Sequence, residues 1–289
     1  MPRAMAARDE TESVGRVGEL LLDYVRRDDR TILSHSRSTS PWHLTPPIEL
    51  DQTGSAYQLL LNPSGGLVGG DRLLIRATIG EGTHVLFSTP SANRIYRSLS
   101  EPAMQQVEIT VGNSAIVEWL PDITIPFAGS RFRQTIHATL GPGATILLWD
   151  AIASGRVARG ERWTFADFSN EIRITTAAGQ SLLERLHLTP GCEQKGIGMA
   201  RDWDYIASFY LIGDTVESEK WKRLEEALAA ILDGYGERVL GGVSEPAAPG
   251  LAVKLVARSA PDLTMVLDRL WMAVRGELWQ LSVPALRRY

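Results

Sequence analysis

Ile79-Gly-Glu-Gly-Thr-His-Val85, Val111-Gly-Asn-Ser-Ala-Ile-Val117 and Leu140-Gly-Pro-Gly-Ala-Thr-Ile146 repeat one pattern: the end of a strand, a glycine-led turn, and the start of another strand. The leading glycines lie at 80, 112 and 141, so the spacings are 32 and 29 residues. Glycine supplies the positive φ that a tight hairpin demands, and recurrence at this interval predicts stacked β units, either a layered sandwich or a solenoid-like coil. The surrounding chain agrees. From Arg16 to about Lys195, short alternating segments such as Leu73-Ile75-Ala77-Ile79, Val107-Ile109-Val111 and Phe132-Ile136-Ala138-Leu140 are separated by Gly, Pro, Ser and Asn. Polar residues between them (Glu108, Arg131, Arg133, Thr135) give each segment one buried and one wet face.

After Gly213 the period changes. Trp221, Leu224, Leu228, Ile231 and Leu232 recur at helical spacing and Gly234 and Gly236 follow, which predicts a helix near 216–234. Leu251 to Arg258 alternates as a strand, and Leu263, Val266, Leu267, Leu270, Trp271, Val274 and Leu278 mark a second helix near 261–279. Val17 to Val25 fits either an amphipathic helix or a strand, with Gly15 and Gly18 lowering the helix odds.

At 289 residues the chain is long enough to bury a sizeable core, and no apolar run approaches the roughly 18 residues of a membrane-spanning helix. A net charge of −4 argues against nucleic acid as a partner, since phosphate binding needs a concentrated basic face. The N-terminus lacks the apolar core of a secretory signal, and Cys192 is the only cysteine. Both fit a reducing cytoplasm.

Four acidic positions stand out. In Asn62-Pro-Ser-Gly-Gly-Leu-Val-Gly-Gly-Asp-Arg-Leu73 the glycines suggest a phosphate cradle, but Asp71 and Arg72 stand where a P-loop needs Lys and Ser/Thr. A strand rather than a helix follows, which removes the dinucleotide fingerprint as well. Asp71 either caps a turn through an Asx-type bond or faces a cavity and meets a cation. Glu118, on the polar face of its strand by alternation with Val117 and Trp119, is a solvated or hydrogen-bonded carboxylate or an oxygen ligand in a polar channel. Asp150 ends the apolar run Ile146–Trp149 in the same way. Glu161 sits among Arg156, Arg159 and Arg162, which either clamp an anion or form a salt-bridged turn with Glu161 and Asp167. Local catalytic signatures are absent: there is no G-x-S-x-G, no H-E-x-x-H, and the five histidines are far apart.

Taken in order, Gly18-Glu-Leu-Leu-Leu22, Arg30-Thr-Ile-Leu33, Asn62 to Asp71, Ser88-Thr-Pro-Ser-Ala-Asn-Arg-Ile-Tyr-Arg-Ser98, Glu118-Trp-Leu-Pro121, Ile125-Pro-Phe127 and Gly155-Arg-Val-Ala-Arg-Gly-Glu161 resemble the UreD/UreH family of urease accessory proteins. The resemblance runs from about residue 16 to 285; residues 1–15 have no counterpart in it, Ser34–Leu50 departs from it, and the ending Pro284-Ala-Leu-Arg-Arg-Tyr289 matches it loosely. It implies a mainly β fold of stacked antiparallel β layers in a β-helix-like or solenoid-like body, with two α-helices in the C-terminal third. Residues 16–289 then form a single domain behind a flexible extension, residues 1–15, and Val17–Val25 becomes a strand.

The resemblance also implies a non-enzymatic cytoplasmic chaperone or scaffold of urease maturation. Such a protein bridges apo-urease to a UreF-type helical accessory protein and a UreG-type GTPase, with GTP hydrolysis in the partner, no tightly bound cofactor, and nickel in transit. A site that must release nickel favours oxygen ligands over a closed His/Cys cage. Asp71, Glu161, Glu118 and Asp150 are the candidates for that passage, Asp71 and Glu161 lying in the most family-like segments. For the partner, the α-helical stripe with Leu270, Trp271 and Val274, together with Arg287 and Tyr289, is the candidate dock, core packing being the competing role of the stripe. Two other classes are a carbohydrate- or small-ligand-binding β module, which needs Trp42 or Trp163 exposed for stacking, and a hydrolase assembled from distant residues.

Overall fold

The computed structural model describes residues 15–189 and 203–286. The extension expected at residues 1–15 therefore lies, apart from Gly15, outside the described residues, as do Cys192, Arg287 and Tyr289. The strands in chain order are β1 (Val17–Arg27), β2 (Arg30–Ser38), β3 (Ala56–Leu59), β4 (Arg72–Ile79), β5 (His84–Ser88), β6 (Asn93–Ile95), β7 (Ala103–Val111), β8 (Ile116–Leu120), β9 (Thr124–Pro126), β10 (Arg131–Leu140), β11 (Thr145–Ala153), β12 (Asp167–Thr175), β13 (Ser181–Leu188), β14 (Tyr205–Gly213), β15 (Val239–Ser244) and β16 (Gly250–Ala257). The helices are α1 (Ser218–Asp233) and α2 (Ala260–Val274).

One sheet runs β13-β12-β10-β7-β4-β1-β2 and the other β15-β16-β14-β11-β8-β5-β3, so the body is mainly β with both helices in the C-terminal part. Each glycine repeat joins a strand of the first sheet to a strand of the second: β4 to β5, β7 to β8, β10 to β11. The turns are thus corners of a coil and not hairpins. Strands of successive coils run the same way, and β1/β4, β4/β7, β7/β10, β10/β12, β3/β5, β5/β8 and β8/β11 all pair in parallel. The expected antiparallel layering is confined to the flanks, in β1/β2, β12/β13, β11/β14, β14/β16 and β15/β16. A hairpin would leave each inner apolar face half covered, whereas the corner puts it opposite the other sheet.

The coils stack in register. Tyr24, Ile79, Val111 and Leu140 sit side by side at the same level of the first sheet, and Val85, Val117, Ile146 and Ile212 do so in the second. All eight are buried. The leading glycines serve this stacking and not a positive φ. Gly80 N–H donates to Tyr24 O at 2.9 Å, Gly112 N–H to Ile79 O at 2.7 Å, and Gly141 N–H to Val111 O at 2.7 Å. A Cβ on Gly80 would lie 2.6 Å from Tyr24 O, and one on Gly112 would lie 2.8 Å from Ile79 O. The positive φ falls two residues later, at Gly82, Ser114 and Gly143.

The sheets enclose one apolar core between them, while the outer face of the second sheet carries a second core under the helices. α1 buries Leu224, Leu228 and Leu232, one residue per turn. α2 starts on Ser259, whose side chain accepts from Asp262 N–H, carries Pro261 in its first turn, and buries Leu263, Val266, Leu267, Leu270, Trp271 and Val274. Its helical path continues as a π-turn over Arg275–Trp279. The ambiguous Val17–Val25 segment is part of β1, with Leu20, Leu22 and Tyr24 turned inward.

Candidate functional site

The interior between the sheets is not wholly apolar. Gln134 and Asn170 are directly paired across β10 and β12, and Gln105 is paired with Gln134 across β7, so three polar side chains form a row across the first sheet. Gln105 Nε2 donates to Gln134 Oε1 at 3.0 Å, and Gln134 Nε2 lies 3.3 Å from Asn170 Oδ1. Opposite them, Asp150 of β11 takes Gln134 Nε2 on one carboxylate oxygen at 2.9 Å and Asn170 Nδ2 on the other at 2.8 Å. Burial pushes the Asp150 carboxyl up from its ordinary 3.8 to about 6, against the hydrogen bond from Gln134 and the positive charge of Lys254.

Asp150, Ser208 and Lys254 are in register across β11, β14 and β16. Lys254 Nζ donates to Ser208 Oγ at 3.0 Å and to Tyr210 OH at 2.5 Å, and meets Glu184 of β13 at 2.6 Å, which ties the edges of the two sheets together. On the other side of Asp150, a cavity of about 90 Å³ opens among Gln105, Gln134, Asp122, Thr124, Trp42 and Trp119. That volume accommodates a few water molecules. The indole N–H groups of Trp42 and Trp119, both residues of this lining, are buried without a protein acceptor. Burial of Trp42 also removes one stacking surface required by the carbohydrate-module alternative, and Trp163 packs against the core with part of its surface covered.

Glu118 lies on the opposite face of the same sheet. Its neighbours Val117 and Trp119 belong to the core between the sheets, so Glu118 turns toward the helices, and it is fully buried rather than solvated. His84 Nε2 contacts its Oε1 at 2.5 Å, the Trp271 indole donates to its Oε2, and Arg275 Nη1 lies 3.4 Å from Oε1. Arg275, also fully buried, reaches Asp51 at 3.3 Å. This cluster locks α2 and the π-turn to β5 and β8. Glu118 and Asp150 therefore lie on opposite faces of the second sheet.

Asp71 is buried at the mouth of its turn, where one carboxylate oxygen accepts Arg16 N–H and the other Val68 N–H, each at 2.9 Å. Both oxygens are engaged in capping. Glu161 takes Arg156 bidentately, and Oε2 also accepts Ala128 N–H at 3.3 Å. The Arg156 bond holds the Glu161 carboxyl below the usual range. Among the described residues, no group of three or more His, Cys, Asp or Glu is placed to hold a metal ion. Leu270, Trp271 and Val274 face the sheet and are buried, while the outward side of α2 exposes Met265 and Met272. Arg287 and Tyr289 lie outside the described residues.

Gln105, Gln134, Asn170, Lys254, His84 and Arg275 were not singled out by sequence reading. The signal for three of them is parity: Gln105, Gln134 and Asn170 occupy inward positions of otherwise apolar alternations, between Ala103 and Val107, Phe132 and Ile136, and Phe168 and Ile172. His84 and Arg275 carry no local signal, because they meet only through the sheet-to-helix packing.

Fold and site together define a class: a coiled β scaffold with a polar, carboxylate-containing interior and a helical flank fixed to its outer sheet. The chain matches the model of the UreD urease accessory protein family over residues 16–288. It is 38% identical over 275 residues to the urease accessory protein UreD of Deinococcus radiodurans, covering 94% of this chain and 95% of that protein. To the UreD of Haloarcula marismortui it is 30% identical over 280 residues, covering 96% of this chain and 92% of its relative. The chain belongs to the UreD family of urease accessory proteins. Its role is accessory to urease maturation and non-catalytic. No helix among the described residues is long and apolar enough to cross a membrane.

Proposed function

We propose that this protein is the cytoplasmic scaffold on which a UreF-type helical accessory protein and a UreG-type GTPase are brought to apo-urease, and that nickel is its cargo, passing through the polar interior between the sheets. The observation that supports this reading is the Gln105–Gln134–Asn170 row facing Asp150 beside a small cavity with polar lining, in a chain of the UreD family. Carboxylate and amide oxygens bind a divalent transition metal more weakly than imidazole or thiolate does, which suits a carrier that must let go. Of the four candidate carboxylates, Asp150 is the one that lines this cavity. Asp71, Glu118 and Glu161 do not line it and act by holding the walls and the helical flank in place.

The stripe of Leu270, Trp271 and Val274 supports the partner interface from beneath. The exposed Met265 and Met272 on the outer side of α2 are the surface offered to a helical partner. Co-expression of Asp150→Ala with urease and the remaining accessory proteins tests the cargo route. The expected result is an assembled complex whose purified urease holds less nickel. Full nickel loading by Asp150→Ala, with the variant present at parental levels, would remove Asp150 from the route.

A further inference from the structure

On the surface where β6, β9 and the turn after β11 meet, a groove of about 440 Å³ is lined by Arg94, Tyr96, Phe127, Arg156, Arg159 and Tyr205, with Ile125, Ala153 and Val157 between them. No carboxylate is among its described lining residues. Arg156 is fixed: Glu161 holds its guanidinium bidentately while its Cζ sits 4.4 Å above the Phe127 ring. Phe127 is itself braced edge-on by Tyr96, with centroids 5.1 Å apart. Arg94 and Arg159 are exposed and make no ion pair within 4 Å among the described residues, Glu161 being near enough to Arg159 to feel its charge. The positive surplus is local, since the whole chain carries −4.

We propose that this groove is a docking site for an acidic, extended segment of a protein partner, with carboxylates on Arg94 and Arg159 and intervening apolar side chains on the Phe127–Ile125–Val157 floor. The exposed guanidinium groups of Arg94 and Arg159, beside an aromatic ring covered by Arg156, suit planar carboxylates. Nucleic acid is the less favoured occupant because one of the three arginines is already paired with Glu161, which leaves no continuous basic track for a phosphate chain. The site is separate from the polar interior and does not depend on the cargo route.

The test is fluorescence anisotropy of a fluorescein-labelled nonapeptide of alternating Glu and Leu, titrated with the full-length protein. Binding should weaken at least about tenfold on raising salt from about 50 to about 300 mM, and by a similar factor in Arg94→Glu/Arg159→Glu. Lys222→Glu, an exposed change on α1, should bind like the parent. If the charge-reversal variant fails to give the parental circular dichroism spectrum, Arg94→Gln/Arg159→Gln carries the same comparison. Absence of binding by the parent, equal binding by the arginine variants, an equal loss in Lys222→Glu, or equally tight binding of single-stranded oligothymidylate would each overturn the proposal.

Discussion

Asp150→Asn should make the protein more stable at neutral pH and no more stable in acid. The Asp150 carboxyl, raised by burial from 3.8 to about 6, retains a proton in the folded state that the unfolded chain has already released. Between about pH 4 and pH 6 the native state therefore binds more protons than the unfolded state, and stability falls as pH rises through that window. A shift of this size corresponds to roughly 3 kcal/mol, lost by pH 7. Asparagine is neutral throughout and resembles the protonated acid in that it accepts only one of the two amide donors, Gln134 Nε2 and Asn170 Nδ2. The variant and the parent should thus unfold at similar urea concentrations near pH 4 and diverge by up to about 3 kcal/mol in favour of the variant by pH 7. The assay is urea unfolding followed by tryptophan fluorescence at unit pH intervals. Parallel stability curves for parent and variant across pH 4–7, or a divergence in favour of the parent, would refute the burial argument. In the cell, the more stable variant should deliver less nickel to urease if nickel follows the proposed route past Asp150, and unchanged nickel loading would count against that route.

Three further perturbations follow from the geometry. Glu118→Ala leaves the buried Arg275 guanidinium with Asp51 alone and strips the Trp271 indole of its acceptor, so it should destabilise by up to about 3–5 kcal/mol and loosen α2, measured by chemical unfolding and by amide exchange over residues 260–279. Asp71→Ala strips acceptors from Arg16 N–H and Val68 N–H, and a loss of about 1–3 kcal/mol is expected in a thermal melt, with Asp71→Asn recovering part of it. Gly112→Ala would press a methyl group to 2.8 Å from Ile79 O and should lower the melting temperature, whereas Gly242→Ala, with nothing within 4 Å, should leave it unchanged. A fall of equal size in both would remove the coil-stacking role assigned to the repeat glycines.

The repeat at 80, 112 and 141 was enough to read stacked β units, since corners that stack must recur at the length of one coil. The two helices were equally legible, because an apolar period of 3.6 residues, closed in the first by Gly234 and Gly236, leaves little else for the chain to do. What local pattern left open was which strands pair. A glycine-led turn fits a hairpin and a corner alike, and only the burial of both inner faces against each other selects the corner and hence the parallel pairing. The misplaced φ has the same origin: Gly80, Gly112 and Gly141 are needed for the close approach of a neighbouring coil, which no single repeat contains.

The candidate carboxylates divide along the same line. Sequence by itself determined that Asp71 follows a glycine turn, that Glu161 lies among arginines, and that Glu118 and Asp150 sit in strands otherwise rich in apolar residues. Tertiary structure alone decided that Glu118 faces the helices and Asp150 faces the other sheet, since β8 and β11 lie in one sheet and alternation sends the two side chains to opposite sides of it. It also decided that Asp150 meets Gln134 and Asn170, and Glu118 meets Arg275, across 16, 20 and 157 residues of chain. Contacts at such separations arise from coil stacking and layer packing, and those are properties of the folded whole that no window of sequence carries.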